Sequence, residues 1–224
     1  MSKKEVNKPD ELENVQHALS ASEAFIEKYQ KHILFAVAAV VLVVLAVLAF
    51  HNYYMEPREN SAENEMAKAQ ELFAVDSFKV ALEGNKQTIG FKEIASEYSI
   101  TASGNLANAY AGICYYKLGQ YENAVKYLTQ FDGQDEYFAT VVVGLTGDAY
   151  VQMGKSDKAL DYFEKAEDMN NKVLSPVYIK KAGVVYESQN KPDKALEKYK
   201  LIKGNYPTSV EAQDIDKYIA RLEK

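Results

Sequence analysis

The stretch GICYYKLGQYENA at residues 112–124 returns as GDAYVQMGKSDKA at residues 147–159 and as GVVYESQNKPDKA at residues 183–195. The three copies share Gly at the first position, Tyr at the fourth and Ala at the thirteenth, and they are spaced by 35 and 36 residues. A period of about 20 to 50 residues is typical of solenoids, in which each unit packs only against its neighbours. The chain is therefore predicted to contain a repeat domain.

The shared residue types indicate that each copy is a pair of helices joined by a tight turn. Small Gly and Ala residues allow two helix backbones to approach closely, and the Tyr fills the space between them. Gly119 and Gly154 can end a helix in the left-handed conformation, and Asn190 can do so in the third copy. Turn chemistry and repeat period therefore predict the same helix boundaries.

Capping residues predict two helix starts near the C-terminus. Ser175 precedes Pro176 as an N-cap precedes a proline at the first helical position. Thr208 and Glu211 have the spacing of a capping box. Residues 210–222 are then predicted to form a capping helix, since one face is apolar and the other charged; the apolar residues are Val210, Ile215, Ile219 and Leu222.

Gly, then Tyr three residues on, then Ala twelve residues on resembles the tetratricopeptide repeat (TPR) signature, whose unit is a helix-turn-helix of about 34 residues. The resemblance implies an all-α fold, a TPR-like α-solenoid. In this register the repeats span residues 105–139, 140–174 and 175–208. We expect a degenerate first repeat at residues 55–104 and the capping helix at residues 209–224.

Residues 33–50 are apolar throughout and contain neither a charge nor a proline. At about 1.5 Å per residue, such a run spans a hydrocarbon core of about 30 Å. We therefore predict a transmembrane signal anchor at residues 33–54. The alternatives are a cleaved signal peptide and a buried core helix, but a leader of 32 residues is long for a signal peptide.

Charges beside the apolar run predict that the N-terminus is cytoplasmic and that the repeats are periplasmic in the bacterial inner membrane. Lys28 and Lys31 lie close to its N-terminal end, whereas Arg58 is the nearest basic residue beyond it. Residues 1–32 would then form a cytosolic tail with an amphipathic helix. That helix either continues into the anchor or docks on the cytosolic face of a membrane partner; its apolar face would contain Leu12, Val15, Leu19, Phe25, Ile26 and Tyr29.

Composition argues for a binding module rather than an enzyme. The net charge of −6 and the pI near 5.3 disfavour a nucleic-acid partner. The histidines, His17, His32 and His51, precede the repeats, and Cys114 is the single cysteine, so nucleophilic triads, zinc sites and disulfides are not expected. Gly-rich phosphate loops are also missing from the sequence, and no cofactor is predicted. A glycosidase-like carboxylate pair is a minor alternative.

Helix A of each copy should line the concave face, where TPR domains hold protein or peptide partners. Of the basic residues on that face only Lys117 and Lys180 could grip a C-terminal carboxylate, and the accompanying Asn pair is missing, so a chaperone-tail clamp is not expected. Tyr116 is the preferred partner contact. Alternatively, the degenerate first repeat or the C-terminal helix covers part of this face. The resemblance assigns to the face Leu106, Ala109, Ile113, Tyr116, Lys117, Val141, Asp148, Val151, Gln152, Val177, Lys180, Val184 and Glu187.

An acidic tail, one anchor and an extracytoplasmic TPR domain together resemble the bacterial ancillary subunit of the SecYEG translocon. The matching segments are residues 23–28, 91–98 and 104–110. The resemblance implies a position beside the export channel, with the translocon, exported chains or periplasmic chaperones as partners and no nucleic acid.

Two other functions remain open at this point. One is a cell-envelope scaffold that uses the same groove to assemble other proteins. The other is an organelle import receptor with an N-terminal anchor and a cytosolic TPR domain.

Overall fold

The computed structural model describes the backbone of residues 9–133 and 135–223, and within those ranges the side chains from residue 26 onward. The chain divides into two compact units, Met1–Glu56 and Pro57–Lys224. All named secondary-structure elements of the described residues are helices and none is a strand, which confirms the all-α prediction; an isolated bridge joins Gly84 and Ile89. The α-helices are α1 (Pro9–Phe50), α2 (Glu56–Ala74), α3 (Phe78–Glu83), α4 (Phe91–Glu97), α5 (Ala102–Lys117), α6 (Tyr121–Leu128), α7 (Phe138–Gln152), α8 (Ser156–Asp168), α9 (Ser175–Ser188), α10 (Pro192–Asn205) and α11 (Ile215–Leu222).

The first unit is dominated by α1, a helix of 42 residues, which is followed by a π-helical turn at His51–Met55. The described part of the chain has one helix that is long and apolar enough to cross a membrane, judged by length and composition, and none of its apolar window is buried. The backbone of residues 9–25 is helical, as expected for the tail. Four of the six residues of the predicted apolar face have side chains outside the described set; they are Leu12, Val15, Leu19 and Phe25.

In the second unit, three helical hairpins follow one another: α5 with α6, α7 with α8, and α9 with α10. Each hairpin packs on the next through α6 against α7 and α8 against α9. Helix α11 closes the array by packing on α10. This nearest-neighbour arrangement is the predicted solenoid.

The shared spacing within the three copies has a direct packing cause at the first Gly of each. A Cβ added to Gly112 would lie 2.6 Å from the Leu128 side chain, and one added to Gly147 would lie 2.6 Å from the Phe163 ring. In the third copy, the same atom on Gly183 would lie 2.4 Å from the Tyr199 ring. The glycine therefore accommodates a large residue sixteen positions further along, on the partner helix of its hairpin.

The three predicted turns share one hydrogen-bond pattern. Gly119, Gly154 and Asn190 all have left-handed backbone angles, with φ of 73°, 68° and 55°. The residue after each donates its N–H to the carbonyl of the signature Tyr, over 2.9, 2.9 and 3.0 Å. This bond is characteristic of the Schellman motif, which satisfies a carbonyl at the end of a helix. The turn prediction is confirmed.

The start of α9 differs from the prediction. Its N-cap residue is Leu174, and Ser175 is already helical. The Ser175 hydroxyl instead donates to the carbonyls of Ala166 and Glu167 at the end of α8, both over 3.1 Å. Ahead of the helix, the side-chain oxygen of Asn171 accepts the N–H groups of Val173 and Leu174 in the turn that leads into α9. Pro176 does lie in the first turn, as predicted.

The C-terminal segment is also shorter than predicted. The capping box at Thr208 and Glu211 does not form; the Ser209 hydroxyl accepts the N–H of Ala212 over 3.2 Å. A 3₁₀ turn occupies Glu211–Gln213, and α11 begins only at Ile215. Consequently Val210 is 73% exposed, whereas Ile215 and Ile219 are buried as expected.

Helices α2 to α4 pack onto α5 through aromatic residues and one carboxylate. The Phe73 ring lies 5.2 Å from the Tyr110 ring of α5, and Phe91 stacks on Tyr110 at 5.0 Å. Glu59 on α2 accepts the backbone N–H groups of Ala102 and Ser103 at the start of α5, over 2.7 and 2.9 Å. A carboxylate is well placed there because the N–H groups of a first helical turn have no partner within the helix.

Cys114 lies in the middle of α5 and has no exposed surface. Burial raises the pKa of its thiol to about 12. The thiol is therefore protonated at neutral pH and packs as a small apolar side chain.

Candidate functional site

A groove lies between α7 and α9 and has a volume of about 360 Å³. We call it the α7–α9 groove. Its size is within the usual range for sites that hold an organic group. It is lined by Asp148 and Val151 of α7, Phe163 of α8, Val177, Lys180, Lys181, Val184 and Val185 of α9, and Glu211 of the 3₁₀ turn.

The walls of the α7–α9 groove are aliphatic, and part of this surface is open to solvent. Phe163 and Val185 form its base and are 1% and 7% exposed. Val151 and Val184 lie on opposite walls and are 39% and 49% exposed. Val184 follows Val177 by two helical turns, so both valines face the groove from α9. Exposed aliphatic side chains around a concave surface are suited to receive an apolar group of a partner.

Charged residues at the rim are joined in two ion pairs. The Lys181 ammonium donates to both carboxylate oxygens of Asp148, over 2.8 and 2.6 Å. The Lys180 ammonium donates to Asp214 over 2.7 Å and also lies 4.7 Å from the centre of the Tyr218 ring. Both rim lysines therefore already have a carboxylate partner.

The pair between Lys180 and Asp214 is reflected in both pKa values. Burial lowers the pKa of Lys180, but the hydrogen bond to Asp214 and the nearby Tyr218 and Glu211 outweigh burial, so the net change is upward. The hydrogen bond from Lys180 lowers the pKa of Asp214. Both groups are consequently charged across the neutral range.

Asp148 also acts on two tyrosines of neighbouring helices. Burial raises the pKa of Tyr178 to about 12, and the Asp148 carboxylate contributes to that rise. The pKa of Tyr116 is raised by burial first, and then by Asp148 and Tyr121. The Asp148 carboxylate on α7 is therefore close enough to Tyr116 of α5 and Tyr178 of α9 to raise their pKa values.

The structure brings together five of the thirteen residues assigned to the concave face. They line the α7–α9 groove and are Asp148, Val151, Val177, Lys180 and Val184. All five come from the second and third copies of the repeat.

The five residues assigned from the first copy lie elsewhere. Ala109 has no exposed surface, so it offers nothing to a partner and leaves the candidate site. Leu106, Ile113 and Tyr116 are half-buried and pack against the core that α5 shares with α2 to α4. The Lys117 ammonium lies 5.9 Å from the centre of the Phe78 ring of α3. The face of α5 is thus partly covered by the preceding segment, which was one of the alternatives.

Three further assigned residues do not line the groove. Glu187 accepts the Tyr199 hydroxyl over 2.5 Å and two contacts from Arg221 of α11, both over 2.6 Å. Val141 is half-buried, and Gln152 is exposed at the end of α7. The C-terminal helix therefore engages the last position of the third copy.

Four residues of the α7–α9 groove were not assigned from the sequence. Lys181 and Val185 are neighbours of assigned positions, so the helical period alone could have included them. Phe163 lies on the second helix of its copy, whereas the sequence pattern drew site residues from the first helix of each copy only. Glu211 comes from a 3₁₀ turn that the sequence pattern placed inside a helix, and no local pattern would have brought it to α9.

Comparison with protein-family models identifies tetratricopeptide repeats in all three copies. One TPR model matches residues 110–132 and 181–209, and a second matches residues 145–173. A search of curated protein sequences found no significant match.

Among solved structures, crystal structures of MamA and of a TPR-like repeat protein are similar. Two MamA structures align with TM-scores of 0.52 and 0.53 at 17% and 19% identity, covering 69% and 72% of this chain and 92% and 91% of MamA. A putative kinesin light chain from Podosopora anserina, with nearly identical TPR-like repeats, aligns with a TM-score of 0.56 at 13% identity, covering 75% of this chain and 87% of that protein. At these identities the likeness establishes the fold.

Proposed function

Starting from a chain built of tetratricopeptide repeats, we propose that it is a single-pass membrane protein whose repeat domain binds other proteins through the α7–α9 groove. The repeats themselves indicate a protein-interaction module, a class that is typically non-catalytic. The observation that carries the proposal is the exposed aliphatic surface of Val151 and Val184 around a groove of about 360 Å³.

Helix α1 supports the membrane part of the proposal. Leu34, Leu42 and Val43 are each more than 60% exposed, and such side chains are stabilised by lipid rather than by water. The basic residues Lys28 and Lys31 beside the apolar run favour a cytoplasmic N-terminus and a periplasmic repeat domain. The proposed location is therefore the bacterial inner membrane.

The proposed partners are the SecYEG translocon, exported chains or periplasmic chaperones. Support comes from the resemblance of residues 23–28, 91–98 and 104–110 to the ancillary translocon subunit. A groove with aliphatic walls agrees with that role, because chains that emerge unfolded from a membrane channel expose apolar side chains. The protein would act beside the channel as an ancillary subunit or as a chaperone-like factor.

In-cell photocrosslinking from position 184 tests the groove and its partners. A photoreactive amino acid replaces Val184, and the matched control replaces Val173, which is 60% exposed but lies outside the groove. Crosslinks from 184 but not from 173 to translocon subunits, exported chains or periplasmic chaperones would support the proposal. One dominant envelope protein would favour an assembly scaffold, and no protein crosslink above the 173 control would refute binding through this groove.

Topology is tested separately by protease added to intact spheroplasts. A periplasmic repeat domain should be degraded while a cytoplasmic control protein stays intact. Protection of the repeat domain, followed by cleavage once the membrane is opened, would contradict the proposed orientation.

A further inference from the structure

We infer that the α7–α9 groove recognises an aliphatic side chain followed closely by a lysine or arginine of the partner protein. This inference rests on the proposed function and adds the chemistry of the bound segment. It follows from two properties of the groove, an apolar interior and a rim on which both lysines are ion-paired while the Glu211 carboxylate is not.

The interior selects an apolar anchor. The side chains that form the base of the groove and the lower part of its α9 wall contain no hydrogen-bonding group; they are Phe163, Val177 and Val185. A polar side chain placed there would lose its bonds to water without replacement, whereas an aliphatic one gains by leaving water. Val151 and Val184 gain as well, because a bound aliphatic group would cover their exposed surface.

The rim does not select an acidic segment, because neither lysine is available. Lys181 already bonds both oxygens of Asp148, and Lys180 bonds Asp214. A carboxylate of a partner would have to displace one of these internal partners. Such an exchange yields little, since one charge-assisted bond is broken for each one made.

The rim instead offers a carboxylate, Glu211, that takes no part in these ion pairs. The charged residues that line the groove are Lys180, Lys181, Asp148 and Glu211. Lys181 pairs with Asp148, and Lys180 pairs with Asp214 outside the lining. Within residues 135–223, Glu211 forms neither an ion pair nor a hydrogen bond through its carboxylate, and its side chain is half-exposed at the edge of the groove. Glu211 lies near Lys180, whose pKa it raises, but that lysine is bonded to Asp214. A cation of the partner would therefore be attracted to the Glu211 side of the groove.

The test uses the full-length chain in a mild nonionic detergent and three short Gly/Ser peptides that carry photo-leucine. In the first peptide photo-leucine is followed by Arg, in the second by Glu and in the third by Ser. Mass spectrometry identifies the crosslinked residues, and the yield is compared at equal peptide concentration. We expect the Arg peptide to crosslink to α7 and α9 with a yield about threefold above that of the Glu peptide, as an exposed charge pair allows. Added salt should reduce this preference.

Two sets of variants identify the groups responsible. Glu211→Lys should reverse the preference in favour of the Glu peptide, while Glu71→Lys, on the exposed part of α2, should leave it unchanged. Val151→Ser combined with Val184→Ser should lower the yield of all three peptides about tenfold. Val173→Ser is the matched control for lost exposed valine surface outside the groove, and its yield should be unchanged.

Several outcomes would overturn the inference. An equal or higher yield for the Glu peptide, or crosslinks outside α7 and α9, would contradict the stated chemistry, although captured partners from position 184 in cells would still support the proposed function. Self-association of the peptide-free chain in sedimentation, abolished by the double valine variant, would make a second copy the occupant instead. If photocrosslinking from position 184 in cells captures no partner, the proposed function is refuted, whatever the peptide experiment shows.

Discussion

The first and third helical hairpins carry the same signature residues but present different surfaces. In both, Gly opposes a large residue of the second helix, Leu128 in the first hairpin and Tyr199 in the third. The second helix has 8 residues in the first hairpin and 14 in the third. The shared residues therefore determine how two helices cross, and they do not determine what the hairpin offers to a partner.

One register position illustrates the difference. Tyr110 on α5 and Lys181 on α9 occupy the same place in their copies. Tyr110 stacks on Phe91 and contacts Phe73, so that face of the first hairpin is covered by the preceding helices. Lys181 pairs with Asp148 beside an open groove. Among the side chains described, from residue 26 onward, no equivalent aromatic cluster covers the second and third copies, and an accessible surface arises between them.

The largest effect is expected from a change to the crossing that all copies share. Gly147→Leu would place side-chain atoms against the Phe163 ring, which already lies 2.6 Å from the position of a Cβ. We expect the free energy of unfolding to fall by about 3 kcal/mol, measured by urea denaturation. Gly204→Ala is the control, because nothing lies within 4 Å of its added Cβ. Equal stability of the two variants would show that the crossing is not close-packed.

A smaller effect should come from the contact between α2 and the start of α5, which helps to attach helices α2 to α4 to the first hairpin. Glu59→Ala removes the acceptor of the N–H groups of Ala102 and Ser103. The free energy of unfolding should fall by about 2 kcal/mol, because charge-assisted bonds at a helix N-terminus are lost. Glu63→Ala, an exposed change on the same helix, serves as the control in the same urea titration. A loss as large for Glu63→Ala would remove the special role of Glu59.

Removal of one hydroxyl should make the third hairpin resemble the second. Tyr199→Phe keeps the ring that opposes Gly183 but removes the hydrogen bond to Glu187. Phe163 stands at this place in the second copy. We expect a loss of about 1 kcal/mol in thermal or urea unfolding. Arg221→Met deprives Glu187 of its second partner. In that variant, the added change Tyr199→Phe should lower the free energy of unfolding by more than it does in the natural chain. If the two losses simply add, the three side chains do not form a shared network.

The smallest effect is expected from the ion pair that joins the groove to the C-terminal segment. The pKa of Asp214 is lowered by Lys180, so the pair stabilises above the unfolded pKa of Asp and is lost as pH falls through the folded pKa. The raised pKa of Lys180 sets the upper end of this pH range, because the contribution of Lys180 to stability is lost as pH rises through that pKa. Asp214→Asn should therefore lower Tm slightly at neutral pH.

Two observations would decide whether that small effect has the stated cause. The difference in Tm between the natural chain and Asp214→Asn should vanish in acid below the folded pKa of Asp214 and should shrink in added salt. Asp161→Asn, an exposed change on α8, is the control and should show no such pH dependence. A difference that persists in acid would exclude the ion pair as its source.

The sequence predicted the hairpins because their determinants are local. Gly119, Gly154 and Asn190 lie where the chain must adopt left-handed angles, so their spacing alone was enough to locate the turns. The helix start at Ser175 was misread because Ser has two roles near helix ends, and whether its hydroxyl caps its own helix or the preceding one depends on tertiary packing. Local chemistry therefore located the turns better than the first helical residues.

Much of the candidate site could not be predicted because it depends on contacts between distant segments. The family pattern treats Tyr116, Val151 and Glu187 as equivalent, yet they are respectively packed on Tyr121, exposed in the groove and bonded to Arg221. Tyr121 belongs to the second helix of the first hairpin and Arg221 to α11, so the surroundings of each position depend on contacts outside its own helix. The sequence placed Val151, Val177 and Val184 on one face, and these residues line the α7–α9 groove, whereas Glu211 on its rim belongs to a turn distant in sequence. That they bind a partner stays a prediction.

The buried thiol of Cys114 is a built-in probe of how often the first hairpin opens to solvent. Since the chain has one cysteine, an added thiol reagent can react at a single position, and it must wait until that position meets solvent. The labelling rate divided by that of the unfolded chain reports the free energy of opening without any engineered probe. A ligand bound in the α7–α9 groove would slow the labelling of Cys114 only if the hairpins open together. The labelling rate therefore reports how far the cooperativity of unfolding extends along the solenoid.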